Sequence, residues 1–315
     1  MFTFIPYLEE IINCQNLTIA AKKLNISQPA LSTALRKAEE QLGAPIFDRS
    51  QKPWRLTEVG YSYYNYGLEY NNHVDELKRK ISDMRNLKKG KLRIGGSILF
   101  NTTCLPQAIA AFTQKYPEIQ LSLIDGTVPE MLDKLIKGEI DLYFTPNFIQ
   151  SEYVIYEKIF CEKILLCVPK EYEINLQLER FRLKREDIVN NRNLPSEEKI
   201  SLALFEKYPF ILLQESQQIG QIFRQLLKED SVYPSKVIYT DQMATSLALT
   251  NEGLGISLIS ETAILYGNFD TLPNFYLPNS DICYREMGVG YHSQRYLSSA
   301  AKEFIQIIKK INYNN

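Results

Sequence analysis

The tract that most restricts this chain is residues 16–42, N-L-T-I-A-A-K-K-L-N-I-S-Q-P-A-L-S-T-A-L-R-K-A-E-E-Q-L. It predicts two helices joined by a tight turn. Asn16 is a good cap for the first, because its side-chain oxygen can accept a free backbone N–H. Ala20, Ala21 and Leu24 form an inner face whose two alanines let another helix come close. The turn falls at 25–27. Ser27 caps the second helix, and Pro29 sits in its first turn, where a missing N–H costs little. Leu31, Leu35, Ala38 and Leu42 then recur at helical spacing. The opposite face carries Gln28, Ser32, Thr33, Arg36 and Lys37, side chains of the kind that reach base edges and phosphates.

A helix-turn-helix needs this layout, with the second helix in the major groove of double-stranded DNA. An ordinary helical hairpin in a core has the same pattern, so the neighbouring residues decide. Gly43-Ala44-Pro45 stops the helix. Residues 46–47 return as a short strand, 48–53 (D-R-S-Q-K-P) form a polar turn and 54–56 come back, which makes a wing. Arg49, Lys52 and Arg55 are placed to meet phosphate, a contribution independent of sequence. Trp54 reads as a packing residue. Residues 1–60 hold seven Lys/Arg against six Asp/Glu, a balance of +1. DNA affinity must therefore come from a local patch and from pairing of chains.

The segment A-A-K-K-L-N-I-S-Q-P-A-L-S, with I-F-D-R at 46–49 and L-T-E-V-G at 56–60, resembles the LysR-type transcriptional regulators over the whole of the first sixty residues. The resemblance implies a winged helix-turn-helix, a long linker helix that pairs two chains, and an α/β effector domain of two subdomains, periplasmic-binding-protein-like. It also implies a homodimer, commonly a homotetramer, acting on a dyad operator, with RNA polymerase as a further partner. It makes Gln28, Pro29, Ser32, Thr33, Arg36, Lys37, Arg49 and Lys52 the DNA-contacting set, with Arg49 the foremost backbone contact of the wing. Thr33 and Ala34 depart from the family, which often has long polar residues there, and this moves specificity towards Gln28, Ser32 and Arg36.

Thr57 caps the next helix, expected to run to about 87. Its apolar positions are Val59, Tyr63, Tyr66, Tyr70, Val74, Leu77, Ile81 and Met84, at steps of 4, 3, 4, 4, 3, 4 and 3. That is a heptad seam, which faces another helix. A second chain is the expected partner; a helix packed on its own chain is the alternative. The basic run at 78–93 reads as a solvated helix end, and 87–90 as a hinge.

After residue 90 the period changes. Strands are expected at 91–96, 119–124 and 141–145, helices at 105–116 and 127–137, and a polar loop at 97–103. This βαβαβ order implies a parallel sheet with right-handed crossovers. Residues 156–169 read as a strand pair crossing to a second subdomain. The charged stretch 171–201 reads as an insertion of about 15–20 residues without clear strands, with a short helix near 186–191. Strands follow at 209–213, 237–240 and 255–259, with helices at 220–229 and 242–251. Residues 287–291 and 298–311 read as a final strand and helix. The domains are then 1–60, a linker at 57–89, and 91–315, the last divided into about 91–165 with 272–315 and about 166–271.

Two such subdomains make a cleft at the carboxyl ends of their strands. Ser97, Asn101, Thr102, Thr103, Thr145, Gln214 and Gln242 are its expected polar contacts, with Phe100 and Met243 for an apolar part of the ligand. Hydroxyl and amide side chains also cap helices, which is the plainer role for each. Asp241 disfavours a bare dianion, and the expected effector is a small carboxylate or amino-acid-like metabolite.

The five cysteines have no metal or disulfide spacing, so neither metal nor other cofactor is expected. A redox role for Cys161 and Cys167 is a minor alternative. With two histidines and no nucleophile or phosphate-loop motif, catalysis is not expected. The N-terminus shows no export signal and no segment is long and apolar enough for a membrane, so a cytoplasmic location is expected. The competing function is a cytosolic solute-binding sensor without a DNA role.

Overall fold

The computed structural model describes residues 2–50, 53–84, 89–146, 149–189, 199–266 and 272–313. They fall into two compact units, one built of the first helices and the wing and the other of the α/β elements after residue 88.

In the first unit, a 3-10 turn at Phe2–Phe4 leads into α1 (Ile5–Cys14), followed by α2 (Leu17–Lys23) and α3 (Gln28–Leu42). The Asn16 side chain accepts from the backbone N–H groups of Thr18 and Ile19, and Ser27 accepts from Ala30. Asn25, in the intervening turn, adopts φ +55°, a left-handed conformation that Asn tolerates better than most residues. Gly43 ends α3 at φ +74°. The core gathers Ile5, Leu8 and Ile11 from α1, Ala20 and Ala21 from α2, and Leu31, Leu35 and Ala38 from α3. Burying each of the larger ones stabilises the unit by about 2 kcal/mol. The wing is β1 (Phe47–Asp48) paired antiparallel with β2 (Arg55–Leu56).

Helix α4 (Glu58–Met84) is capped by Thr57, whose hydroxyl accepts from Gly60 N–H at 2.9 Å. Its inner side is set by close approach rather than by bulk. A Cβ on Gly67 would stand 2.1 Å from Ile5 Cδ1, so only glycine lets α1 and α4 meet there. Tyr63 fills the space beside it at 4% exposure.

The second unit holds β3 (Gly90–Gly96), α5 (Ile98–Thr103), α6 (Leu105–Lys115), β4 (Ile119–Asp125), α7 (Val128–Lys137), β5 (Leu142–Thr145) and β6 (Val154–Val168). Then come α8 (Ile174–Gln177), α9 (Arg185–Val189), β7 (Phe210–Leu213), α10 (Gln218–Glu229), β8 (Val237–Thr240) and α11 (Met243–Asn251). β9 (Ser257–Ser260), α12 (Glu261–Tyr266), β10 (Asn274–Tyr276), β11 (Tyr284–His292) and α13 (Ser299–Tyr313) complete it. β3 lies parallel between β4 and β5, as the βαβαβ order requires, and β11 joins β5 antiparallel. β7 and β8 are parallel neighbours.

The element that joins the two halves is β6. Its first part, to Lys163, pairs with β11, and its second part, from Ile164, lies between β9 and β10. One strand thus serves two cores. The first core contains Leu92, Ile94, Phe112, Phe144, Val289 and Phe304, and the second contains Leu165, Phe205, Phe210, Phe223, Leu258 and Tyr276.

Several expectations are corrected here. Residues 98–103 are helical, not a loop, because Ser97 caps them by accepting from Phe100 N–H. Residues 154–168 form one strand, not a pair. The stretch 171–201 has no strand among its described residues, as expected, but it is not a loose excursion: Ile174, Leu178, Leu183, Ile188 and Ile200 enter the second core, and Leu183 and Ile200 make single bridges to Phe275 and Pro278. Residues 190–198 lie outside the described residues, as do those at 85–88 expected to lead into the hinge. β10 pairs with the far part of β6, so the second half keeps the chain beyond residue 272 and the return comes with β11.

Candidate functional site

On α3, Gln28, Ser32 and Arg36 form one exposed row at four-residue spacing, and Pro29, Thr33 and Lys37 form the adjacent one. Leu31, Leu35 and Ala38 are buried on the other side, so packing holds this polar face outward. Arg36 makes only a loose ion pair with Glu40, at 3.8 Å and with both side chains about two-thirds exposed, and such a surface pair restrains little.

Arg49 is not a bare surface cation. Its Nη2 donates to Glu39 Oε2 at 2.6 Å, and its guanidinium carbon stands 5.3 Å from the centre of the Trp54 ring. Trp54 packs on Phe47, the structural role expected of it. Arg55 is exposed on β2. Lys52 lies outside the described residues.

The expected seam on α4 divides in two. Val59, Tyr66, Tyr70, Leu77 and Ile81 are 40–65% exposed, an apolar stripe on a helix that ought not to face water. Val74 is half-buried. Tyr63 is a correction: it belongs to the core of its own unit, its ring 5.5 Å from Phe2. The side chain of Met84 lies outside the described residues.

In the second unit, the expected ligand contacts also separate. Phe100 is a core residue, 2% exposed and stacked on Phe144 at 5.3 Å, and not a wall of the cleft. Thr103 and Thr145 are buried. Asn101 is mostly buried; its Nδ2 donates to Asp125 Oδ1 at 2.5 Å, while its Oδ1 is enclosed without a hydrogen-bond partner among the described residues. Thr102 donates back to Ile98 O along its own helix. Ser97, Gln214 and Gln242 are exposed at the carboxyl ends of β3, β7 and β8, and Met243 is half-buried against the second core.

Where β6 and β11 cross between the two cores, the structure assembles a polar cluster that the expected contact set did not include. The Glu162 carboxylate, with no exposed side-chain surface, accepts from Arg285, Ser260 and Thr262. Arg285 Nη1 donates to Gln218 Oε1 at 2.9 Å, which ties the start of α10 to β11. Beside it, Glu261 accepts from Lys163 N–H at 2.8 Å, and its other oxygen lies 3.6 Å from Lys163 Nζ, within ion-pair range but beyond a hydrogen bond. Burial raises the Glu261 carboxyl to about 7, a rise that Lys163 opposes. The nearby Cys104 thiol is pushed up to about 12 by burial. A signal for this cluster stands in the sequence: Glu162 and Lys163 interrupt the apolar run I-F-C-E-K-I-L-L-C-V, and a charge in a buried strand must find a partner. Of the two cysteines weighed for redox chemistry, Cys161 is exposed but Cys167 is buried with its thiol well above the ordinary range, which removes the pair.

Among the described residues no group of His, Cys, Asp and Glu could hold a metal ion, and no helix is long and apolar enough to cross a membrane.

The LysR substrate binding domain profile matches residues 85–311, and that of the bacterial regulatory helix-turn-helix protein, lysR family, matches residues 3–61. The uncharacterized HTH-type transcriptional regulator YybE of Bacillus subtilis (strain 168) is 25% identical over 304 residues, 96% of each chain. Full-length CbnR, crystallised with its target DNA, superposes with a TM-score of 0.66 at 16% identity, covering 98% of this chain and 99% of that one. The effector binding domain of BenM with its effector benzoate covers 71% of this chain and 93% of its own, with a TM-score of 0.57 at 15% identity. At such identities the two structures show a shared fold.

Proposed function

This chain belongs to the LysR family of helix-turn-helix transcriptional regulators and carries its effector-binding domain, and on that premise we propose how its parts divide the work. The family is one of regulators, not an enzyme class. Two copies present their α3 helices to two half-sites of a dyad operator in double-stranded DNA. Gln28, Ser32 and Arg36 reach base edges, while Pro29, Thr33, Lys37 and Arg49 face the backbone. The observation that carries this reading is the exposed polar double row of α3 on a helix capped at both ends and buried on its reverse side. The CbnR complex with its target DNA supports it.

The stripe Val59, Tyr66, Tyr70, Leu77 and Ile81 is where the second chain packs, and pairing of such dimers through the effector domains makes a homotetramer. The protein works in the cytoplasm beside the DNA it reads, with RNA polymerase as a further partner. A small-molecule effector enters the cleft at the strand ends, met by Ser97, Asn101, Thr102, Gln214, Gln242 and Met243 above the Glu162–Arg285 cluster. The benzoate-bound BenM domain supports a compound of that size, here a small carboxylate or amino-acid-like metabolite. Because β6 runs through both halves, closure on the effector changes the angle between them. The equilibrium moves only as far as the effector's preference for one arrangement.

The test is a mobility shift on the DNA immediately upstream of the protein's own coding sequence. Wild type should bind, and Arg36→Ala should bind about tenfold more weakly. Failure of the folded, dimeric wild type to bind at moderate salt would refute the reading.

A further inference from the structure

We infer that Glu39 is a positioning residue for DNA binding, holding Arg49 against Trp54 so that its guanidinium is aimed at a phosphate before DNA arrives. The inference rests on the DNA-binding reading above and adds a residue that would otherwise count as a surface acid of the reading helix. Glu39 lies on α3, and its side chain is only 14% exposed. One carboxylate oxygen accepts from Ile46 N–H at 3.0 Å, where the chain enters the wing. The other accepts from Arg49 Nη2 at 2.6 Å. Trp54, just before the returning strand, covers one face of the same guanidinium at 5.3 Å. The Arg49 side chain remains half exposed, and a guanidinium carries five N–H groups, more than the Glu39 bond takes up.

Two groups from two places, Glu39 on α3 and Trp54 just before β2, therefore converge on one cation. A long arginine loses much rotamer freedom when it is held. Here that ordering occurs when the domain folds, so it is not charged again to binding.

The inference makes a prediction of unusual sign. Glu39 is an anion on the helix that approaches a polyanion. By repulsion alone, Glu39→Gln should strengthen binding. If Glu39 acts by holding Arg49, the same change should weaken it, because an amide holds a guanidinium less firmly than a carboxylate does. The glutamine carbonyl still accepts from Ile46, so the junction of helix and wing is kept.

The experiment uses the full-length chain and the upstream duplex, with affinity followed over a salt series for wild type, Glu39→Gln, Arg49→Ala and the double variant. Glu39→Gln should bind about three- to tenfold more weakly, with a salt slope shallower by about 0.9, the share of one lost phosphate contact. In the Arg49→Ala background the Glu39 change should add nothing. The emission of Trp54, the only tryptophan in the chain, should move in Glu39→Gln towards its value in Arg49→Ala. Equal or tighter binding by Glu39→Gln overturns the inference and leaves the DNA-binding reading intact. A loss of the same size in the Arg49→Ala background also overturns it, by showing that Glu39 acts through the fold. Absence of binding by wild type overturns the DNA-binding reading, and the inference with it.

Discussion

Removing the charge of Glu162 tests whether the crossing of β6 and β11 is as dry as it looks. The carboxylate is fully enclosed and the Arg285 side chain is 10% exposed. Glu162→Gln preserves size but removes the counter-charge, leaving a guanidinium with the neutral Gln218 oxygen and little water. Breaking a buried pair in this way costs about 3–5 kcal/mol, chiefly the desolvation of the remaining ion. For a unit of this length each kcal/mol moves the melting point by roughly 2–4 °C, so the expected fall is about 6–20 °C. Trp54 lies in the other unit and is blind to this transition, so calorimetry is the assay. The double variant Glu162→Gln/Arg285→Met, with no buried ion left, should recover much of the loss. A fall below about 1 kcal/mol in the single variant would mean that water reaches Arg285. A double variant as unstable as the two single changes added together would mean that the pair is not coupled. Either result refutes the reasoning.

The division of the α4 apolar residues makes a matched pair of changes informative. Leu77→Glu, on the exposed stripe, should turn the dimer into monomers in sedimentation while the head keeps its melting point; an intact dimer would move the interface elsewhere. Tyr63→Ala, in the core, should instead cost the head about 3–5 kcal/mol, read from the Trp54 emission during urea unfolding. For Glu261 the sign follows from its raised carboxyl. Burial lifts it in the folded chain to about 7, well above the ordinary glutamate value of about 4.5 that it regains on unfolding. Between these values the folded chain keeps a proton that the unfolded chain has lost, so stability is greatest at the acid end and falls as pH rises through the window. The loss is about 3 kcal/mol in all. Lys163 and Glu162 are the charged groups facing it. Glu261→Gln should flatten the change in urea midpoint between pH 5 and pH 8; an unchanged slope would assign the titration to another group.

The reading head was legible from residues 16–42 because its determinants are local. Caps at Asn16 and Ser27, a left-handed Gly43 and a helical stripe act within one or two turns of chain, and short-range sterics and hydrogen bonding decide them. The same holds for the βαβαβ order after residue 90, where a change of period announces strands. The expected seam on α4 was half legible. Its spacing marked apolar residues correctly, but spacing cannot say which neighbour covers each one. Gly67 lets α1 come close, and so Tyr63 turns to its own core while Tyr66 and Leu77 stay outside.

What only the tertiary structure decided is long-range. Phe100 looked like a ligand wall because a polar segment surrounds it, yet Phe144, brought beside it by sheet pairing, makes it core. Glu162 on β6 and the three groups that meet on it come from separate places, the others being the end of β9, the start of α12 and β11, and no local pattern links residues 162, 260, 262 and 285. The wing clamp lies between these extremes: Glu39, Arg49 and Trp54 are near in sequence, but a carboxylate on a helix face looks like any solvated charge until the turn back through the wing places a cation on it. Local chemistry determined the elements and the kind of protein. Chain crossings determined which charges meet, because a Coulomb contact depends on distance in space and is indifferent to distance along the chain.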